Sequence, residues 1–225
     1  MPAGVKRTSP PGGAGRGQAR TRLARRAVVD AARELFLERG YAASTVDAIS
    51  ERADVPAATV YRLFSSKLGI LKALLDVSIA GDDQPVSVQE RPDVSALFAE
   101  TDPGRLLAGF AGVTVSINMR ISDVYRILVS AAGSDPAAAT LLADYQRQRA
   151  AGQGGFARSL ARGRSLRPGL GERDAADVIH ALMSPELYRL LVVERAWPPD
   201  RYRHWLTGIL GEQLIGAPGG SRAQR

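Results

Sequence analysis

STVDAISERADVPAATVYRLFSSK, residues 44–67, holds two short helical patterns with almost nothing between them. Ser44 is placed to cap the first, and Asp47, three residues on, completes a capping-box variant. Val46, Ile49 and Ala53 then fall three and four apart, on one helical face. Asp54-Val55-Pro56 breaks that pattern, because proline fits only the first turn of a new helix and drives the residue before it out of helical geometry. The second segment, 57–64, has Val60 and Phe64 at i and i+4 for burial, and turns Ala57, Ala58, Thr59 and Arg62 outward. Two helices joined by a tight turn, the second with a small and polar outer face, read as helix-turn-helix; an ordinary helical hairpin is the alternative. From Val55 to Lys72 the only charges are Arg62, Lys67 and Lys72, all positive, which suits a surface held against phosphate.

The stretch before it is helical too. Val28, Ala31, Ala32, Leu35 and Phe36 make an amphipathic stripe in a helix expected from about Arg22 to Arg39, with Gly40 as its left-handed stop. Ahead of that helix, residues 1–20 are rich in Pro, Gly and Arg and lack apolar periodicity, so they read as a disordered basic arm. The glycines at 12–17 follow no strand, which rejects a phosphate-binding loop. After Phe64, Ser65 or Ser66 can cap a further helix with Leu68, Leu71, Leu74, Leu75 and Ile79 as its stripe, ending at Gly81. A polar connection, 81–92, follows.

Everything beyond reads as helix. Asp102-Pro103 and Asp135-Pro136 are cap-plus-first-turn signals. They open helices expected at 103–119, with another at 121–132, and at 136–162. Ser184-Pro185 interrupts a helix at 172–194, and Trp197-Pro198-Pro199 turns the chain into a last helix at 198–215. The expected fold class is all-α, with no alternating strand pattern and no repeat. Its expected divisions are the arm (1–20), a helix-turn-helix domain (21–66), a C-terminal helical domain (67–217) and a tail (218–225).

Composition narrows the function. The chain has 225 residues and no cysteine, which removes disulfides and thiolate metal sites, and two histidines make a histidine metal site improbable. No metal or cofactor is expected. No apolar run is long enough to span a bilayer, and the N-terminus lacks a signal-peptide core, so the expected location is the cytoplasm with no membrane partner. Net charge is +7, and the seven basic residues among 1–29, with no acid there, account for all of it. The basic character therefore belongs to the arm and the body is balanced.

With the N-terminal region laid out, the chain resembles the tetracycline-repressor (TetR) family of bacterial transcriptional regulators. The residues that carry the resemblance are Ala31-Ala32, Glu34-Leu35-Phe36, Glu38-Arg39-Gly40-Tyr41, Ser44-Thr45-Val46 and Ile49-Ser50. Ala53, Val55, Thr59-Val60-Tyr61, Phe64, Ser66-Lys67 and Leu71 continue it. The last two helices, around SPELYRLLVVERAWPPDRYRHWL, also look like one branch of that family, while 81–163 matches only in helical character. The resemblance implies a homodimer that reads a near-palindromic double-stranded operator with its N-terminal domains and binds a small-molecule effector in its C-terminal domains. It implies DNA contacts at Thr45, Ala57, Ala58, Thr59, Tyr61, Arg62 and Lys67, to which the arm adds Arg22 and Arg26. Two departures stand out: Pro56 sits where a capping Ser or Thr is usual, and Ala57 where a longer polar side chain is common.

The apolar surplus in the last two helices predicts a two-fold four-helix interface through Leu187, Leu191, Trp205, Ile209 and Leu210. The helical layer between predicts a mainly apolar effector pocket with Phe110 and Met183 in its wall and Asn118, Tyr125, Arg126, His180 and Tyr188 as its polar points. The leading functional reading is a repressor released by a hydrophobic or aromatic small molecule. A non-specific architectural DNA binder and, further off, a helical enzyme using His180 with Asp177 and Glu186 are the rivals. No GxSxG, Walker or HExxH spacing supports the enzyme.

Overall fold

The computed structural model of the protein describes residues 13–81 and 90–215. Among these every regular element is helical, and no helix is long and apolar enough to cross a membrane. Residues 1–12 of the expected arm, most of the 81–92 connection and the 218–225 tail lie outside the described residues. The described chain divides into two compact units that meet between Leu71 and Lys72, five residues beyond the expected boundary.

The first unit contains α1 (Gly13–Ala43), α2 (Val46–Ala53), α3 (Ala57–Phe64) and the start of α4 (Lys67–Ala80). Its core is the stripe foreseen on α1, with Val28, Ala32, Leu35 and Phe36 buried against Val46 and Ile49 of α2 and Val60 and Phe64 of α3. Helix α1 starts earlier than expected, so residues 13–20, read as disordered arm, are its first turns. Gln18, Ala19, Arg20, Leu23 and Ala24 favour helix, and a helix already nucleated by its buried half extends at little cost. Gly40 bends α1 with φ 78°, and the chain regains helical geometry to Ala43.

Thr45, not Ser44, caps α2. Its hydroxyl accepts from the Ala48 amide at 3.1 Å, and its carbonyl takes the first helical bond, from Ile49. Ser44 is fully buried and donates its hydroxyl backward, to the Leu35 and Gly40 carbonyls at the end of α1. The two hydroxyls thus satisfy two different helix ends. Asp54 takes the left-handed conformation after α2, and the Ser50 hydroxyl donates to the Val55 carbonyl at 2.6 Å, closing the turn. Helix α3 opens at Pro56 with no side-chain cap, as the proline there required. Ser66 caps α4 by accepting from the Gly69 amide at 3.0 Å. A side chain at Gly69 would overlap the Phe64 carbonyl oxygen, so only glycine lets α4 leave α3 this closely.

The second unit holds the rest of α4, then α5 (Pro92–Leu97), α6 (Pro103–Ala132), α7 (Pro136–Arg162), α8 (Glu172–Leu182), α9 (Pro185–Tyr188) and α10 (Pro199–Leu214). A π-helical stretch, Arg189–Glu194, continues α9. Asp102, Asp135 and Ser184 each accept from first-turn amides ahead of a proline, so the two cap-plus-proline signals start helices and the Ser184-Pro185 interruption is a stop and restart. The expected break near residue 120 is absent: α6 is one helix of 30 residues, with Asn118 and Ser122 buried in mid-span. Its buried face packs with α7, α8 and α10 around Leu107, Ala111, Phe156, Ile179, Tyr202 and Leu206.

Candidate DNA-recognition surface and effector cleft

Two places gather unspent chemistry, one in each unit. On α3, Val60 and Phe64 point into the core, while Ala58, Tyr61 and Arg62 are exposed and Ala57 and Thr59 half-buried. Tyr61 is 50% exposed, which sets aside a core role for its ring. The helix is braced from behind. Arg25 of α1 donates to the Leu63 carbonyl at 3.3 Å and lies 4.8 Å over the Phe64 ring. Arg52 of α2 reaches Glu34 at 2.9 Å and Glu38 at 3.2 Å on α1, and its hydrogen bond holds the Glu38 carboxyl below the usual carboxylate range. Neither brace was picked out from sequence, because i, i+3, i+4 spacing carries no sign of a partner on another helix.

Arg22, Arg26 and Thr45 are exposed, with Arg26 3.7 Å from Asp30. Lys67 is placed differently from Arg62. Its ammonium donates to the Tyr41 carbonyl at 2.8 Å and the Ala42 carbonyl at 3.4 Å, and sits 4.3 Å over the Tyr41 ring. It therefore ties the start of α4 to the end of α1, whatever else it touches on DNA.

In the second unit a cleft of about 360 Å³ opens between α6, α7 and α9. Helix α6 lends Tyr125, Arg126 and Val129. Leu142 and Gln146 come from α7, and Pro185, Glu186 and Arg189 from the α9 segment. The Tyr125 hydroxyl donates to Glu186 Oε1 at 2.5 Å and receives a hydrogen bond from Gln146. Burial, then the Glu186 bond, pushes the phenol up to about 12, so it stays a neutral donor. Glu186 Oε2 lies 3.9 Å from Arg149 Nη1. Arg149, its side chain 15% exposed, donates Nη2 to the His180 carbonyl at 2.8 Å, and its Nε is buried with no acceptor. The His180 ring meets Gln153 Oε1 at 2.7 Å. Burial, reinforced by Arg149, lowers its pKa and keeps the ring neutral.

Of the seven expected pocket residues, Tyr125 and Arg126 line this cleft and His180 lies behind it through Arg149. The other four belong to the core. Phe110 stacks on Phe156 at 3.9 Å, Met183 and Tyr188 are buried, and Tyr188 meets Tyr202 edge-on. Asn118 is buried and donates to the Met183 and Ser184 carbonyls at 3.3 and 3.5 Å, fixing α6 to the α8–α9 break. The cleft is open, and although five of its eight lining residues are polar or charged, most of the surface they turn to it is apolar. Gln146, Arg149 and Glu186 were missed as site residues because they sit in stretches whose sequence reads as solvated helix surface.

One more arrangement connects this unit to the helix that enters it. Arg120 of α6 donates to the Ser78 and Ile79 carbonyls, both at 3.0 Å, and to the Ser116 hydroxyl at 2.7 Å. These carbonyls close the last turn of α4, where a cation is favoured by the helix dipole as well as by the bonds.

Residues 28–74 match the family model described as bacterial regulatory proteins, tetR family. This chain carries a TetR-family DNA-binding domain. The match covers α2, α3, the second half of α1 and the first half of α4, and so takes in the whole outer face of α3. Over 184 residues the chain is 28% identical to the uncharacterized HTH-type transcriptional regulator YdeS of Bacillus subtilis (strain 168), covering 79% of this chain and 83% of that one. Solved structures share the TetR fold. NalD, the secondary repressor of the MexAB-OprM multidrug efflux pump in Pseudomonas aeruginosa, superposes with a TM-score of 0.68 at 22% identity, covering 89% of this chain and all of that one. A SmeT–triclosan complex does so with a TM-score of 0.67 at 17% identity, covering 90% and 98%.

Proposed function

We propose that this TetR-family transcriptional regulator is a repressor that binds a pseudo-palindromic operator as a homodimer and is released by a small molecule held in its second unit. The observation that carries the reading is the outer face of α3: Tyr61 and Arg62 are exposed, and neither has a hydrogen-bond or ion-pair partner among the described residues. Arg62 is free to reach phosphate or a guanine edge, and the alanine methyls suit thymine methyl groups. Thr45 at the start of α2 and the arginines of α1 supply positioning contacts to the backbone.

One recognition helix reads too few base pairs for a specific site, so two must be held at fixed spacing. Leu187, Leu191, Trp205 and Ile209 are only partly buried, and Leu190 and Val193 are each 47% exposed, which supports pairing through the α9 segment and α10. Leu210 is fully buried inside the protomer and is withdrawn from the interface. The effector is assigned to the cleft at Tyr125 and Arg126. NalD and SmeT lend the analogy that proteins of this fold include a repressor and a protein solved in complex with triclosan. An effector that displaces α6 acts on α4 through Arg120. A ~100-fold preference of the effector for the released state shifts that equilibrium by about 2.7 kcal/mol per site.

The test is a salt titration of binding to the gene's own upstream duplex and to a random duplex. The expected result is specific binding that survives physiological salt and is weakened in Arg62→Ala. Equal affinity for the two duplexes would instead favour a non-specific architectural role.

A further inference from the structure

The charge lining the cleft is in excess on the positive side. The Tyr125 hydroxyl donates to Glu186 and receives a hydrogen bond from Gln146, and the second Glu186 oxygen faces Arg149 at 3.9 Å. The carboxylate on the cleft wall thus has a cation of its own. Arg126, on the same wall, has no hydrogen bond or ion pair among the described residues. Arg189 spends one nitrogen on Glu194, at 3.1 Å, and keeps the rest of its fork. Arg149 stands one side chain behind, its Nε buried without an acceptor. Two guanidiniums, Arg126 and Arg189, and one carboxylate, Glu186, therefore line the opening, and Arg126 is the cation without a partner among the described residues. Val129, Leu142 and Pro185 give the opening an apolar side.

We infer that the effector is a small amphipathic carboxylate, its head group paired with Arg126 and its apolar body laid against Val129, Leu142 and Pro185. The inference rests on the reading of this cleft as the effector site and gives that site a ligand class. Guanidinium is the side chain suited to this head, since its planar fork can make two parallel bonds to one carboxylate. With two guanidiniums against one carboxylate in the lining, an anionic head is favoured over a cationic one, and an uncharged head leaves Arg126 as it was. The volume lies at the lower end of the range for small-molecule sites, which suits a small ligand.

Three probes with one body and three heads test it on the full-length protein by calorimetry: 4-butylbenzoate, 4-butylbenzamide and 4-butylbenzylamine. The benzoate is expected to bind at least tenfold tighter than the other two. Arg126→Gln should erase that advantage, and Arg126→Lys should restore only part of it. Both variants change an exposed side chain, and their melting temperatures are expected to match the wild type. Val129→Trp, at another exposed position, should block all three probes by filling the cleft. Amide or amine binding as tight as benzoate overturns the inference, as does a benzoate advantage that survives Arg126→Gln, or no binding by any probe. Operator release is read separately. An amide that binds, is blocked by Val129→Trp and releases the operator sinks the carboxylate inference while the effector-site reading stands. A benzoate that binds through Arg126 but leaves operator affinity unchanged has the opposite meaning.

Discussion

Arg62 and Lys67 carry the same charge five residues apart, and the protein uses them differently. Arg62 is exposed and unpartnered, so Arg62→Ala should leave urea stability within about 0.5 kcal/mol of wild type and weaken a specific site by about 1–3 kcal/mol if it reads a base. Lys67 tethers α4 to the Tyr41 carbonyl and ring, so Lys67→Ala should lower stability by about 1–2 kcal/mol as well as weakening DNA binding. Urea unfolding beside gel-shift titration separates the two effects; equal stability losses in both variants would contradict this division. His180 gives a pH dependence. Its folded pKa is lowered, by burial first and Arg149 second, so the unfolded chain takes up the proton more readily. Stability from this group is therefore whole above its ordinary value of 6.5 and is lost as pH falls from there toward the folded pKa. Melting temperature should drop between pH 6.5 and 5.5, and less steeply in His180→Asn. Residue identity alone could nominate Arg62 and Lys67 equally. Only the backbone bend at Gly40, which brings the end of α1 to Lys67, tells them apart.

At the scale of elements, the helix-turn-helix was legible because its signals are local: an apolar i, i+4 pair, a proline that must start a helix, a small-residue outer face. The same holds for Asp102 and Asp135, each a cap read from two adjacent residues, whereas Ser184-Pro185 showed in the sequence only as an interruption. Local pattern failed where a partner far along the chain decides. Asn118-Met119-Arg120 looks like a polar interruption between two helices. In the fold Asn118 has carbonyl acceptors near residue 184 and Arg120 has them near residue 78, so the helix runs through. The candidate cleft was legible only in part for the same reason, Tyr125 and Arg126 being visible while Glu186 and Gln146 need the packing of three helices to meet them. The Arg120 clasp gives a prediction at this scale. Arg120→Ala strips the Ser78 and Ile79 carbonyls of their donors and should cost about 2 kcal/mol by chemical denaturation. It should also leave operator binding in place while blunting release by effector. Gly81→Ala attacks the same clasp from the other side: its φ is +85°, and a methyl there would stand 3.2 Å from the Arg120 guanidinium. Normal release in both variants would show that α4 is moved by some other contact.

The molecule as a whole is proposed to work only as a pair, and two leucines on its last helices test this in opposite ways. Leu191 is partly exposed, so Leu191→Asp should give a folded monomer, by sedimentation and circular dichroism, that has lost the operator. Leu210 is fully buried, so Leu210→Asp places an unpaired carboxylate in the core and should unfold the second unit outright. A dimeric Leu191→Asp protein would move the interface elsewhere. Whatever the pairing surface, the signal from the cleft must travel along α6, and the spacing of its attachments limits how. Asn118 is the point where α6 is fastened to the α8–α9 break, which makes it a fulcrum. Val129 lies ~16 Å from it along the axis and Arg120 only ~3 Å. A see-saw motion about that fulcrum would shrink a 1 Å push at the cleft to roughly 0.2 Å at the clasp, since displacement scales with arm length in a rigid rod of 1.5 Å per residue. Sliding along the axis, or turning about it, delivers the push undiminished. A rod held this way is geared against tilting, and the effector that operates it must drive α6 lengthwise or twist it.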